Sequence, residues 1–445
     1  MSDIKKTVTV PRRILSSLLS SLSAGVVPRA GAPYIAIGRK EEIGAFLSDL
    51  ETIGEGGSAM RFLIGRYGSG KSFLMQLVRG YALERDFLTA DADLTPERRL
   101  YGTSGSGVAT YRELMKNLAS KSAPDGGALP RIIARWIGEL QERIGEKDTD
   151  GSRLRAAVSE DLRDVEFLVG GFDFARVIVA YYRAYLDGDD DKMSACLCWL
   201  RGEFSSKTEA RRALGFDVSL IINDDNWYDF IKLFAVLARK IGYRGLVVFI
   251  DECVNLYKIV NRVSRENNYE KILSMFNDAL QGKAEGLLMV LGGTPQFLED
   301  PRRGLFGYEA LRSRLADSRF AADEFCNLIG PVIRLRRLSD DELFALIVRV
   351  TALYAEYYHW QPRITEGEQV QFLSLCLARA GGNSMMTPRE VLRDYLTVLN
   401  ILMQNPDSDF AAIVARMEGT LGATAEESAE TVRENRDFSP EDIVF

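Results

Sequence analysis

Residues 61–78, RFLIGRYGSGKSFLMQLV, place a glycine-rich loop between an apolar segment and an amphipathic one. Residues 65–72 match the pattern G-x-x-x-x-G-K-[ST] at every fixed position. In such a loop the glycines let backbone N–H groups converge on phosphate oxygens, and the following helix adds its positive N-terminus. A chance glycine loop would not need the lysine, the serine, the strand and the helix together. The stretch therefore predicts a P-loop nucleotide-binding fold.

Each side chain of the loop then has an expected role. Lys71 reaches the terminal phosphates, and Ser72 is a ligand of Mg²⁺. The predicted nucleotide-binding residues are Gly65, Arg66, Tyr67, Gly68, Ser69, Gly70, Lys71, Ser72 and Phe73.

Four apolar segments predict the strands of the fold. They are AMRFLIG from residue 59, FLTADADL (87–94), YRGLVVFIDE (243–252) and EGLLMVLGGTP (285–295). Near-continuous apolar strands that alternate with helices indicate a parallel sheet covered on both faces. After Pro331 the strand signal fades. The predicted fold class is α/β, a P-loop NTPase with a parallel sheet flanked by helices.

The domain boundaries follow shifts in composition. An N-terminal helix and Gly/Pro connector (1–34) precede the P-loop core (35–331), which carries a largely helical insertion at about 121–225. A helical bundle (332–404) follows, and Ser339 with Glu342 forms a capping-box pattern at its start. The last stretch (405–445) holds ten acids and three arginines, which predicts a loosely ordered tail. No internal repeat is evident.

A P-loop binds nucleotide, but hydrolysis also needs an acid at the end of a buried strand. Asp251 follows LVVFI and is the predicted second Mg²⁺ ligand beside Ser72, and Glu252 is placed to polarise the attacking water. The alternative is an acid pair that merely caps a strand. The acids of FLTADADL are poorer candidates, because that segment follows the P-loop helix too soon. Thr294 ends the next strand. Its hydroxyl is a candidate for contacting the γ-phosphate or the attacking water, and the alternative is that Thr-Pro merely ends the strand.

Three arginines are candidates for contacting the nucleotide. Arg312 and Arg314 follow in YEALRSRL, and since alternate residues of a helix do not share a face, at most one of them points at a given phosphate. Arg389 opens a helix of the C-terminal bundle, from which it could reach the nucleotide. For all three, the alternative is an ordinary solvated charge.

Composition excludes several classes of function. The 445 residues are 46% hydrophobic and 27% charged, as in soluble globular proteins, with no apolar run long enough for a membrane span. The chain has five scattered cysteines and a single histidine, His359, which form no zinc-ligand pattern and give little basis for a catalytic histidine. The cysteine usage predicts a cytoplasmic protein. The net charge is −7, whereas a tight DNA binder usually has an excess of basic residues. Any contact with DNA would therefore need a local basic face.

The order of these motifs resembles that of the AAA+ ATPases. In that family's terms, the matches are Walker A (65–72), Walker B with its catalytic glutamate (Asp251, Glu252), sensor 1 (Thr294), the arginine finger (Arg312 or Arg314) and sensor 2 (Arg389). IAIGRKEEI (35–43) resembles the segment that helps to form the adenine pocket, and 338–404 resembles the lid domain.

A closer resemblance is to the ATP-binding proteins of bacterial BREX phage-defence systems, most nearly those of the BrxD type. The stretches that carry it include AGVVPRAGAPYIAIGR, GYRGLVVFIDECVNLYK and LMVLGGTPQFLEDPRRGLFGYEALRSRL. The resemblance implies ATP and Mg²⁺ as cofactors, a homo-oligomer, and partners among the other defence proteins. Two features depart from the pattern: 180 residues separate Lys71 from Asp251, and no winged-helix domain follows the lid.

The leading hypothesis is an ATP-hydrolysing motor or switch in a defence complex. A nucleotide-gated assembly scaffold with little turnover of its own is the alternative. A metabolic kinase is a third, which the lid-like bundle and RSRL disfavour.

Overall fold

The computed structural model describes residues 10–144, 168–316, 327–379 and 386–414, with isolated positions at 153, 156–157 and 160. The middle of the predicted insertion, Cys326 and most of the predicted tail lie outside these residues. The chain divides into two compact units. Arg39–Arg336 is called the core unit here, and Met1–Gly38 with Arg337–Phe445 is called the flanking unit.

The core unit contains a five-stranded parallel sheet in the order β2-β3-β4-β1-β5. Its strands are β1 (Ala59–Ile64), β2 (Leu88–Asp93), β3 (Leu246–Asp251), β4 (Leu287–Gly293) and β5 (Val332–Arg334). Phe62, Val248 and Leu291 are each fully buried, because helices cover the sheet. Burial on both faces explains why the strands read as continuous apolar runs. The predicted α/β fold with a parallel sheet flanked by helices is confirmed.

The fifth strand is a correction to the sequence analysis, in which the strand signal ended at Pro331. Val332, Ile333 and Arg334 pair with Phe62, Leu63 and Ile64 of β1. A three-residue strand is too short to show a hydrophobic period, so only its pairing with β1 reveals it.

Helices of the core unit pack against the sheet and against each other. They are α2 (Lys40–Gly54), α3 (Lys71–Glu84), α4 (Ser106–Lys116), α5 (Leu129–Ile144), α6 (Gly171–Asp187), α7 (Asp190–Leu200), α8 (Lys207–Leu214), α9 (Trp227–Lys240), α10 (Val254–Tyr257), α11 (Arg262–Leu280), α12 (Pro295–Glu299) and α13 (Glu309–Leu315). The described part of the insertion is helical, as predicted. Trp136 and Trp199 of the insertion belong to the same hydrophobic core as Ile250 of the sheet, so this material continues the core.

The flanking unit is helical where it is described. It comprises α1 (Arg12–Ser23), a short 3-10 helix (Ala32–Ile35), α14 (Asp340–Tyr358), α15 (Glu366–Arg379) and α16 (Pro388–Gln404). The predicted capping box at the start of α14 is confirmed, with the Ser339 hydroxyl accepting from the Glu342 N–H and the Glu342 carboxylate accepting from the Ser339 N–H. The Tyr395 hydroxyl, buried on α16, bonds to Thr351 and Gln369 and ties the three long helices together.

Candidate active site

The P-loop lies between β1 and α3 with its backbone shaped for an anion. Gly68 and Gly70 have φ angles of 76° and 91°, a left-handed region that favours glycine. Gly70 is the N-cap of α3 and no side chain caps the helix, so the first-turn amides are left for a ligand. The hydroxyl of Ser69 is buried and has no hydrogen-bond partner among the described residues. These features fit a bound phosphate group.

Lys71 is held within the loop. Its ammonium group donates to the carbonyl oxygens of Gly65 at 2.9 Å and Arg66 at 3.2 Å. Burial lowers the pKa of Lys71, and the carboxylates of Asp251 and Glu252 oppose that shift. The positive charge of Lys71 is therefore balanced by the carboxylates of Asp251 and Glu252 at the end of β3.

The structure brings Ser72 and Asp251 together, although they are far apart in sequence. The Ser72 hydroxyl donates to Oδ2 of Asp251 over 2.6 Å. Gly292 of β4 makes room for this carboxylate, since a Cβ at that position would overlap it. A hydroxyl and a carboxylate are oxygen donors of the kind that Mg²⁺ takes, so the pair fits the predicted metal.

Glu252 follows Asp251 in an unusual backbone conformation. Its φ is 57°, which few residues other than glycine adopt, and its side chain is exposed. Its N–H donates to Oδ1 of Asp251 over 2.8 Å. Such strained residues cluster at active sites, which makes Glu252 a candidate on structural grounds as well.

Asp93 is a site residue that the sequence analysis passed over. It is the last residue of β2 and pairs in register with Asp251. Desolvation by the surrounding protein, then the charges of Asp251 and Glu252, raise the pKa of Asp93. The sequence holds a signal for it, an acid at a strand end in FLTADADL. Only the strand order shows that this strand adjoins β3.

Asp93→Asn should raise the melting temperature at pH 7 by about 1–2 °C. Because the pKa of Asp93 is raised on folding, stability falls as pH rises from the ordinary value of 3.8 through the raised one. At pH 7 that cost is fully present in the wild type, and the neutral amide removes it. Thermal melts at several pH values test this, and the two proteins should converge towards pH 4. A variant less stable than wild type at pH 7 would refute the repulsion.

Thr294 stands at the same edge of the sheet. It follows Gly293, whose register partner Ile64 leads directly into the P-loop. Its hydroxyl accepts from the Phe297 N–H over 3.4 Å, so it caps the short helix α12. This capping bond is the structural role that the alternative interpretation gave to Thr294, at the end of the strand. A catalytic contact of the same hydroxyl stays a prediction.

The candidate arginines are not joined to the P-loop by any contact found among the described residues. Arg312 and Arg314 are exposed on α13, and the Arg314 guanidinium donates to the Ala310 carbonyl of its own helix over 2.7 Å. Arg389 is exposed at the start of α16 in the flanking unit, where its aliphatic carbons lie against Gly25. Their roles toward nucleotide stay predictions.

The segment 35–43, compared above with an adenine pocket, is divided between the two units after Gly38. Within the flanking unit, Ile37 lines an open cavity of about 590 Å³ together with Tyr34, Phe344 and Val348. The walls are mainly apolar. An adenine pocket built from this segment stays a prediction.

A P-loop joined to a strand-end carboxylate defines a broad class of nucleotide-binding proteins, and comparison with protein families narrows it. The family model of the BREX system ATP-binding protein BrxC/D matches residues 10–418. The chain belongs to this family. The resemblance to BREX ATP-binding proteins is thereby confirmed. Membership implies ATP binding and a role in BREX phage defence alongside other proteins of that system.

No curated protein matches the chain. Within the described residues, no group of histidine, cysteine and acidic side chains could hold a metal by itself. None of the helices in that part of the chain is long and apolar enough to cross a membrane.

Proposed function

We propose that this chain is an AAA+ ATPase that hydrolyses ATP and acts as a motor or switch in a cytoplasmic BREX defence complex. The bond between the Ser72 hydroxyl and the Asp251 carboxylate carries the proposal. It joins the P-loop to the strand-end acids, and hydrolysis requires both parts at one site. Glu252 extends from the same strand end, beside the proposed phosphate position.

The chain's own groups divide the work. The P-loop amides and Lys71 bind the β- and γ-phosphates, and Lys71 gives up the Gly65 and Arg66 carbonyls to do so. Glu252 orients the attacking water and accepts its proton. Thr294 contacts the γ-phosphate or that water. Arg389, acting as sensor 2 from a lid formed by the helical bundle, adds a positive charge toward the nucleotide.

Mg²⁺ fits the site by the chemistry of its donors. Ser72 and Asp251 would hold it, and the Asp93 carboxylate lies on the neighbouring strand end. When bound, the ion neutralises phosphate charge that develops during transfer.

Lys71→Ala should weaken ATP binding by about a hundredfold, because the only lysine in the loop is lost from a phosphate site. Calorimetry with ATP and Mg²⁺ measures the affinity, and phosphate release measures turnover. Lys121→Ala is the matched control, since that lysine is exposed and pairs with Asp86 at 3.8 Å. If Lys71→Ala bound ATP as tightly as wild type, the P-loop would not be the ATP site.

The nucleotide-gated assembly scaffold is the second candidate. Arg312 and Arg314 lie exposed on α13, so the site of a single chain holds no finger contact among the residues described. A protein of this kind binds ATP and assembles, but turns it over slowly. Turnover that neither DNA nor another BREX protein stimulates would support this alternative over the motor.

A further inference from the structure

Arg39 is a buried arginine that contacts the P-loop. Only 3% of its surface is exposed, which is rare for an arginine unless its charge is paired and hydrogen-bonded. Its Nη2 donates to the Ser69 carbonyl and to the Arg336 carbonyl, each at 2.8 Å. Its Nη1 pairs with the Glu42 carboxylate at 3.3 Å. All four residues belong to the core unit.

The bond to Ser69 sets the direction of the next amide. A peptide group is planar and trans, so its C=O and N–H point in opposite directions. When the guanidinium holds the Ser69 carbonyl on the buried side, the N–H of Gly70 must point to the other side. Gly70 is the N-cap of α3, at the centre of the proposed phosphate site.

The Ser69 carbonyl lies where a lost partner is hard to replace. Ser69 is only 2% exposed, so water has little access to replace a lost partner. A buried carbonyl without a partner is costly, and the peptide would turn to find one. The second acceptor, Arg336, follows β5, so one rigid guanidinium fixes the loop relative to the sheet's edge.

We propose that Arg39 is a positioning residue for nucleotide binding, which holds the Ser69–Gly70 peptide so that the Gly70 N–H faces the phosphates. The inference rests on the proposed P-loop site and deepens it. The segment 35–43 resembles one that meets adenine, whereas the bonds of Arg39 direct it to the phosphate loop. Arg39 does not touch the nucleotide in this role, and it acts through the loop backbone.

Arg39→Lys is the informative variant, because a lysine keeps the charge but cannot reproduce the planar fork that spans two carbonyls. Its affinity for ADP and for ATP should fall by about tenfold or more, which corresponds to one charged hydrogen bond. The KM for ATP should rise by more than the turnover number falls, because the lost contact acts first on binding. Fluorescence anisotropy with labelled ADP and steady-state kinetics measure the two effects.

Arg61→Lys is the matched control. Arg61 is also buried, at 8% exposure, in the same unit. It pairs with Asp49 at 2.6 Å and donates to backbone carbonyls, including that of Ile329 at 3.0 Å. These contacts resemble those of Arg39 but involve no residue of the P-loop. Arg61→Lys should lower the melting temperature while nucleotide affinity stays within about twofold of wild type.

Equal ADP affinity for wild type and Arg39→Lys would overturn the proposal. So would an affinity loss of similar size in Arg61→Lys, because it would reflect general destabilisation. If Arg39→Lys does not fold, Glu42→Gln decides. It removes the negative charge that pairs with Nη1 of Arg39 and should weaken ADP binding about threefold. An unchanged affinity would count against the role. A wild type that binds neither ADP nor ATP would instead sink the proposed function itself.

Discussion

Glu252→Gln should lower ATP turnover by at least about a hundredfold while ATP stays bound, since a general base contributes on that scale. The amide has the shape of the carboxylate but cannot accept the proton of the attacking water. The N–H of residue 252 that bonds to Asp251 is unaffected by this change, so the Mg²⁺ ligands should keep their places. Phosphate release measures turnover, and chromatography of the denatured protein identifies the trapped nucleotide.

Glu252→Gly separates catalysis from strain in the same position. Glycine adopts the φ of 57° without the steric cost borne by glutamate, so this variant should gain about 1 kcal/mol in the free energy of unfolding. It should hydrolyse ATP as poorly as Glu252→Gln. Denaturant melts measure the gain. Wild-type turnover in either variant would show that Glu252 is only a strand-end acid.

Arg314→Ala should lower turnover by about a thousandfold, the scale on which an arginine finger acts, with folding and ATP affinity nearly unchanged. Arg314 is exposed on α13, and its one described hydrogen bond goes to a carbonyl of its own helix. Its removal therefore leaves the fold intact. Arg312→Ala is the matched control on the same helix. If Arg312→Ala loses more turnover than Arg314→Ala, Arg312 is the arginine finger.

Mixing variants tests whether this arginine acts across a subunit interface. Arg314→Ala and Lys71→Ala subunits are each inactive alone, for different reasons. In a mixed assembly some sites combine an intact P-loop with an intact arginine from the neighbour, so activity should partly return. Proven co-assembly without any recovery would show that Arg314 does not act in trans.

Most of the fold and the centre of the candidate site could be predicted from local patterns in the sequence. The P-loop is eight consecutive residues, so its pattern is complete without any tertiary contact. β1, β3 and β4 were readable because burial on both faces makes them largely apolar. β2, which carries Asp91 and Asp93, gives a weaker pattern. Asp251 and Glu252 could be selected because they end the apolar run of β3. In contrast, β5 has three residues and no period of its own.

The sequence by itself therefore determined an α/β P-loop protein with strand-end acids, and the BREX family to which it belongs. Tertiary structure alone decided which of these residues meet. Asp93 joins the site through the pairing of β2 with β3, which is a contact between distant segments. Arg39 supports the P-loop through carbonyl oxygens of Ser69 and Arg336. Every residue has a backbone carbonyl, so the pattern of side chains in a sequence cannot predict which carbonyl an arginine will bind.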